Sequence, residues 1–148
     1  MSSYRQIYYH IVFGTKYRKH SIPDDHCEDL YRYMAGIIKK NNCKPYQING
    51  NSDHIHIISD LHLSVSLADY IKSIKVASSI WLKTQLAFDK FTGWAEKYAA
   101  FTVSHQDRDR IIKYIKRQKE HHKKVEFIDE LQALLREHGI EIDERYLL

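Results

Sequence analysis

Apolar and polar residues alternate along the first part of the chain in the manner of a β-strand. Residues 4–15 carry β-branched or aromatic side chains at every second position, among them Ile7, Tyr9 and Ile11. Further short segments have strand composition, and residues 50–53 between two of them have the composition of a turn. The sequence therefore predicts four strands, over residues 4–15, 44–49, 54–61 and 98–104.

Four other segments repeat apolar residues at the spacing of one helix face. In the first segment, Leu30, Met34, Ile37 and Ile38 form such a stripe. Gly139 marks the end of the last segment, as expected for a glycine that follows a helix. The predicted helices cover residues 23–42, 66–81, 107–124 and 126–137, with the third helix unbroken.

The order of these elements predicts the fold class. A β-α-β-β-α-β order is typical of the ferredoxin-like α+β fold, a four-stranded antiparallel sheet with two helices on one face. The other face stays open unless the last two helices or a partner cover it. We expect a single domain over residues 1–148, with a catalytic core at about 4–124 and a C-terminal amphipathic helix and tail at 125–148.

The composition of the chain indicates the cellular compartment in which the protein works. The chain is 43% hydrophobic and 28% charged, which is ordinary for a soluble domain. It has no apolar run near the roughly 20 residues that span a bilayer, and its N-terminus lacks a signal-peptide core. Cys27 and Cys43 form no CxxC motif. These observations predict a cytoplasmic protein without a membrane partner.

Charge is distributed unevenly along the chain. The net charge is +4, yet residues 125–148 carry seven acidic side chains and two arginines, a net of −5, which leaves +9 for the rest. A basic body suits a polyanion-binding surface, with an acidic tail that packs elsewhere. A solvated helix with a chance excess of acids explains the tail equally well.

His54, Ile55 and His56 form the first motif with chemical meaning. On a strand, side chains two residues apart share a face and lie about 7 Å apart, so both imidazoles can reach one ion. Two ligands leave coordination positions open, as a catalytic metal needs. By itself this spacing is weak, because His-x-His also occurs on strands by chance.

A second motif lies on the predicted third helix. Tyr114 and Gln118 are four residues apart and flank the apolar stripe, so the tyrosine is half exposed and the glutamine oxygen can ligate a metal. Taken alone, the pair is better explained as a boundary tyrosine and a solvated glutamine than as part of a functional site. The helix is dense in basic residues, which suits a phosphate backbone. We interpret His121 and His122 as phosphate contacts or plain surface.

Taken together, these segments resemble one family, the HUH single-tyrosine insertion-sequence transposases, which act on single-stranded DNA. Residues 51–57 match its HUH motif, in which U is a bulky apolar residue, and residues 114–118 match its Tyr-x-x-x-Gln helix. The resemblance covers nearly the whole chain to about Lys124. The other matching segments are residues 8–13, 15–18, 93–94 and 100–104.

The resemblance implies a mechanism and partners. Tyr114 would attack the DNA and form a 5′-phosphotyrosine, while His54, His56 and Gln118 hold Mg²⁺ or Mn²⁺. Proteins similar to this are homodimers in which one subunit's tyrosine serves the other's His pair, and they recognise hairpins in single-stranded DNA at element ends. Lys113 or Lys116 could assist the tyrosine. Candidate DNA contacts are Lys16, Arg18, Lys19, Lys72, Lys75, Lys113, Lys116 and Arg117.

Other functions remain open at the level of sequence. A non-catalytic single-strand binding module of the same fold would stack bases on Tyr8, Tyr46 and Phe101. A related HUH endonuclease would use the same chemistry in replication initiation or repeat processing. An inactivated copy is a further alternative, although its motif residues are intact here.

Overall fold

All four predicted strands form, and they build one antiparallel sheet. The computed structural model describes residues 3–143. Within these residues the strand order is β2-β3-β1-β4, as expected for the ferredoxin-like fold, so the predicted α+β class is confirmed. The strands are β1 (Tyr8–Gly14), β2 (Pro45–Asn51), β3 (His54–Asp60) and β4 (Ala99–Val103).

Two strand boundaries differ from the prediction by more than one residue, for reasons of pairing. Strand β1 begins at Tyr8 because its register partners, Asp60 and Val103, are the last residues of β3 and β4. Strand β2 extends through Gly50, so the predicted four-residue turn is only two residues long. Glycine is required there, because an added Cβ would lie 2.1 Å from the carbonyl oxygen of His54.

Two long helices cover one face of the sheet. Helix α1 (Cys27–Lys40) and helix α2 (Leu67–Lys83) enclose the larger apolar core, to which the odd-numbered residues of β1 and β3 contribute. Helix α2 begins after Ser66, whose hydroxyl accepts a hydrogen bond from the backbone N–H of Asp69 at 3.1 Å.

Three helices lie over the opposite face: α3 (Arg108–Lys116), α4 (Gln118–His121) and α5 (Phe127–Glu137). The prediction of one unbroken helix over 107–124 is therefore wrong. The break falls at Arg117, whose φ of −94° and ψ of 12° leave the helical range. Asn49 of β2 donates hydrogen bonds to the last carbonyl groups of α3, which stabilises the helix end.

The last helix closes the face that the sequence left open. Phe127, Leu131 and Leu134 of α5 pack with Val12 and Phe101 in a second apolar cluster. Gly139, at a φ of 69°, ends the helix as predicted. Single 3-10 turns lie at Lys16–Arg18, Asp24–His26, Leu86–Phe88 and His105–Asp107. None of the helices in the described part of the chain combines the length and apolarity that crossing a membrane requires.

The aromatics of the alternative base-stacking platform make contacts within the protein. Phe101 is buried and its ring stacks on His138 at a centroid distance of 4.1 Å. Tyr8 and Tyr46 contact each other, and the Arg108 guanidinium lies over both rings. The three aromatics that a non-catalytic binding module would use are therefore engaged within the protein.

Candidate metal and nucleophile site

His54 and His56 lie side by side on the α3–α5 face of the sheet. Both side chains are fully buried, and their ring centroids are 5.1 Å apart. Ile55 between them points to the opposite face and is buried in the larger core. The strand thus holds both imidazoles rigidly in the arrangement that the sequence spacing predicts.

Neighbouring acceptors fix the orientation of the His54 ring. Its Nδ1 lies 2.7 Å from the carboxylate of Asp53, which accepts only, so Nδ1 carries the proton. In a neutral ring Nε2 then offers a lone pair. That Nε2 lies 3.0 Å from Oε1 of Gln118, which also offers lone pairs.

His10 of β1 lies behind His56 and was not identified from the sequence. Its Nε2 is 2.8 Å from Nδ1 of His56, and its own Nδ1 is buried without a hydrogen-bond partner. Burial lowers the pKa of His10 well below its ordinary value and the pKa of His56 to about 4. Strand pairing could have revealed His10, because even-numbered residues of β1 and β3 share a face in this register.

Gln118 and Tyr114 reach the site from either side of the helix break. Gln118 is fully buried, and its amide donates a 2.8 Å hydrogen bond to the carboxylate of Glu130. Tyr114 is half-buried, with its ring centroid 5.8 Å from that of His56, and its hydroxyl donates to Glu130. Burial and the neighbouring carboxylate raise the pKa of Tyr114. The tyrosine is therefore held as a neutral phenol beside the His pair of its own chain.

Glu130 of helix α5 stands at the centre of the site, and sequence reasoning missed it. Its Oε1 lies 3.0 Å from Nε2 of His56, 2.9 Å from Nε2 of His122 and 3.5 Å from Nε2 of His54. Burial alone would raise the pKa of this carboxyl, but hydrogen bonds from His122 and His56 hold it well below its usual range. The carboxylate is therefore ionised although it is buried.

The expectation that His122 lies on the surface or contacts phosphate is wrong. Its side chain is only 2% exposed and faces Glu130, so it is neither a phosphate contact nor plain surface. Although burial lowers it, the hydrogen bond to Glu130 raises the pKa of His122 overall. His121 is half-buried, with Nε2 3.5 Å from the same carboxylate. No local pattern could have shown this, because it depends on where α5 packs.

The donor set fits a divalent cation. Ligand atoms of His54, His56, His122 and Glu130 all lie within 4.8 Å of one another. Nε2 of His54 and Oε1 of Gln118 lie 3.0 Å apart, and both atoms can serve as ligands of one cation. Imidazole and carboxylate ligands with hydrogen-bonded outer partners such as Asp53 are typical of metal sites in proteins.

Basic residues predicted to contact DNA meet in an open cleft away from this site. Lys16, Arg18 and Lys75 line a volume of about 900 Å³ between the turn after β1, helix α2 and the segment before β4. Lys75 donates hydrogen bonds to two backbone carbonyl groups, and burial lowers its pKa. Lys19 and Lys72 are exposed but lie outside this cleft.

A second basic cleft lies directly beside the tyrosine. Lys113 and Arg117 line a volume of about 560 Å³ together with Tyr114 and His121. Lys116 is exposed but lies outside it. The predicted contacts therefore separate into one group at the tyrosine and another on the α2 side of the molecule.

Sequence comparison identifies related proteins. Residues 3–118 match the family described as "Transposase IS200 like". The ISDra2 transposase TnpA of Deinococcus radiodurans is 25% identical over 118 residues, which cover 76% of this chain and 84% of the relative. A transposase for insertion sequence element IS200 from Salmonella typhimurium is 27% identical over 120 residues, 78% of each chain.

Solved structures agree with the fold. A transposase crystal structure from Deinococcus radiodurans superposes with a TM-score of 0.58 at 25% identity, covering 80% of this chain and 95% of that one. A REP-associated tyrosine transposase bound to a REP hairpin superposes with a TM-score of 0.62 at 14% identity. That match covers 84% of this chain and 76% of the other, and at this identity it supports the fold alone.

Proposed function

The chain belongs to the IS200-like transposase family and is a DNA transposase, and we propose that it nicks and rejoins single-stranded DNA at insertion-sequence ends through Tyr114. One observation carries this proposal. The hydroxyl of Tyr114 lies in the same hydrogen-bond network as the buried His54–His56 pair. A binding module has no need of a tyrosine held against such a cluster.

The reaction exchanges one phosphate ester for another. Tyr114 Oη attacks the scissile phosphorus, the Oη–P bond forms and the P–O3′ bond breaks. The phenol loses its proton and the departing O3′ gains one, so the products are a 5′-phosphotyrosine and a free 3′-hydroxyl. Because the covalent intermediate keeps the ester bond energy, rejoining needs no nucleotide cofactor.

His54, His56 and Gln118 are the residues that we assign to hold Mg²⁺ or Mn²⁺. When bound, the ion polarises the scissile phosphate and offsets charge on the leaving oxygen. Asp53 orients His54 through Nδ1, and His10 contacts Nδ1 of His56, so both rings present Nε2 to the site.

The hydroxyl of Tyr114 faces Glu130, to which it donates a hydrogen bond, so the side chain must turn from this carboxylate toward the phosphorus before it attacks. Lys113 lines the same cleft and is the basic residue that we assign to steady the charge developing on the tyrosine. Lys113→Ala should therefore slow cleavage of pre-bound DNA, and an unchanged rate would remove this role.

We propose that the two basic clefts bind different parts of the DNA. We assign the single-stranded cleavage site to the cleft at Lys113 and Arg117, and the hairpin to the cleft at Lys16, Arg18 and Lys75. The hairpin partner follows from the resemblance to insertion-sequence transposases, and the exposed basic residues Lys16 and Arg18 suit its phosphate backbone. We place the activity in the cytoplasm, where DNA is accessible and where Cys27 and Cys43, both free thiols, stay reduced.

We expect a homodimer, as the resemblance implies, but with each tyrosine serving its own His pair. Support comes from the 5.8 Å between the ring centroids of Tyr114 and His56 within one chain. A mixture of Tyr114→Phe and His56→Ala chains should remain inactive. Recovery of cleavage in that mixture would show that the tyrosine acts in the partner instead.

A covalent-adduct assay tests the proposal. Labelled single-stranded DNA from the flanks of the gene is incubated with the protein and Mn²⁺ or Mg²⁺, then run on a denaturing gel. We expect a slow band that EDTA abolishes, that Tyr114→Phe lacks and that Tyr33→Phe keeps. Tyr33 is a matched control because it lies on α1, on the far side of the sheet. DNA binding without any adduct would favour a binding module or an inactivated copy.

A further inference from the structure

Two polar side chains beside the His54–His56 pair are not among the residues assigned above as metal ligands. They are His122, which follows helix α4, and Glu130, in the middle of helix α5. Both side chains are almost fully buried, at 2% exposure each. Burying an imidazole and a carboxylate is costly unless they are paired or coordinate a metal, and here they are paired with each other at 2.9 Å in the position that a metal would occupy.

The ring of His122 is oriented in the same way as that of His54. Its Nδ1 donates a hydrogen bond to the backbone carbonyl oxygen of Val125 at 2.6 Å, so Nε2, which donates to Glu130 in the metal-free protein, becomes a ligand atom once a cation displaces its proton. Asp53 binds Nδ1 of His54 in the same way. A carbonyl or carboxylate bound at Nδ1 is the usual outer partner of a metal-ligating histidine.

Glu130 adds the negative charge that three imidazoles lack. Its Oε1 lies 2.9–3.5 Å from the Nε2 atoms of His54, His56 and His122, and Gln118 anchors its other oxygen. Metal bonds to nitrogen or oxygen of roughly 2.0–2.2 Å separate opposite ligands by roughly 4 Å. Ligand atoms within 4.8 Å of one another therefore suit a single ion.

We propose that His122 and Glu130 are metal ligands in this chain together with His54 and His56, so that helix α5 completes the metal site. This inference rests on the proposed function, in which His54 and His56 bind the ion. Three imidazoles and one carboxylate favour Mn²⁺, Co²⁺ or Zn²⁺ over Mg²⁺, which prefers oxygen ligands. A cavity of about 170 Å³, lined by Asp53 and His122 among others, lies beside this ligand set.

Proton NMR of the Co²⁺-loaded wild-type protein tests the histidine ligands. Each imidazole bound through Nε2 gives a strongly shifted, exchangeable Nδ1–H signal. The proposal predicts such signals from His54, His56 and His122, and the loss of one of them in His122→Ala. Signals from His54 and His56 alone would overturn the role of His122, and because wild-type protein is used, that outcome cannot arise from misfolding.

Calorimetric titration with Mn²⁺ tests the carboxylate. Glu130→Gln keeps the size of the side chain but removes its charge, and it should weaken Mn²⁺ binding at least ~10-fold. Glu137→Gln, an exposed position on the same helix, should leave the affinity unchanged. Equal affinities in Glu130→Gln and wild type, with circular dichroism showing both folded, would remove Glu130 from the ligand set.

The adduct assay separates this inference from the function on which it rests. A Tyr114-dependent adduct, combined with Co²⁺ signals from His54 and His56 alone, leaves the transposase chemistry intact and rejects the additional ligands. Co²⁺ signals from His54, His56 and His122 without any adduct support the metal site and reject strand cleavage by this chain.

Discussion

The two faces of the sheet are built from the same strands but have opposite characters. Toward α1 and α2, residues such as Ile55 and Ile57 enter a continuous apolar core. Toward α3, α4 and α5, the alternating residues His54 and His56 meet Glu130 in a buried polar cluster between two small apolar clusters. The apolar face stabilises the strand, and this rigidity fixes the positions of the two imidazoles on the other face.

The difference shows how one strand can combine stability with chemistry. A buried polar cluster contributes little net stability unless it is fully satisfied, because removing ionised groups from water is costly. The face toward α1 and α2 therefore has to supply most of the folding free energy. Substitutions on the two faces should consequently have different signatures, one in unfolding and the other in metal binding.

The largest effect on stability is expected from Ile57→Ala. The side chain is fully buried in the larger core, so its truncation should lower the free energy of unfolding by ~2–5 kcal/mol in a urea titration. Mn²⁺ affinity without urea should stay near that of wild type. Ile80→Ala, exposed on α2, is the control. A loss below ~1 kcal/mol, outside the range for such truncations, would contradict the assigned division between the faces.

The next largest effect is expected on metal binding, from a substitution on the polar face. Asp53→Asn removes the charge that holds the His54 ring, and Mn²⁺ affinity measured by calorimetry should fall ~10–100-fold. Asp29→Asn, an exposed carboxylate on α1, should change nothing. If Asp53→Asn binds Mn²⁺ as tightly as wild type, the outer carboxylate does not orient the ligand.

Local patterns in the sequence were enough to identify part of this polar face. The spacing of His54 and His56, and of Tyr114 and Gln118, placed candidate residues on elements that the structure brings together. Glu130 and His122 were missed because their positions depend on how α5 packs and on the helix break at Arg117. Asn49, four elements away in sequence, stabilises that break, and helical periodicity contains no information about such a contact.

His10 was missed for a different reason. Its face is determined by pairing with β3, and the sequence predicts each strand without fixing the register between them. The overall order of elements was easier to predict, because it depends only on periodicity along the chain. The assignment of residues 1–148 to one domain, with a core at about 4–124 and a C-terminal helix and tail at 125–148, stays a prediction. Helix α5 of that C-terminal part contacts the site.

The smallest effect should come from the cleft on the α2 side. Lys16→Ala removes one exposed positive charge, so the slope of log affinity for hairpin DNA against log salt should decrease by about 0.9. Mn²⁺ affinity should not change, because the cleft is remote from the polar face. Lys39→Ala on α1 is the control. An unchanged slope would place the hairpin elsewhere.

The identity of the nucleophile can be determined by mass spectrometry of the trapped adduct. The wild-type protein is reacted with single-stranded DNA, digested with nuclease and protease, and its peptides are mapped. We expect a nucleotide joined through its 5′-phosphate to the peptide containing Tyr114, and to no other tyrosine. A nucleotide on a different residue, or a covalent product that forms equally well in EDTA, would contradict a metal-assisted tyrosine site on the polar face of the sheet.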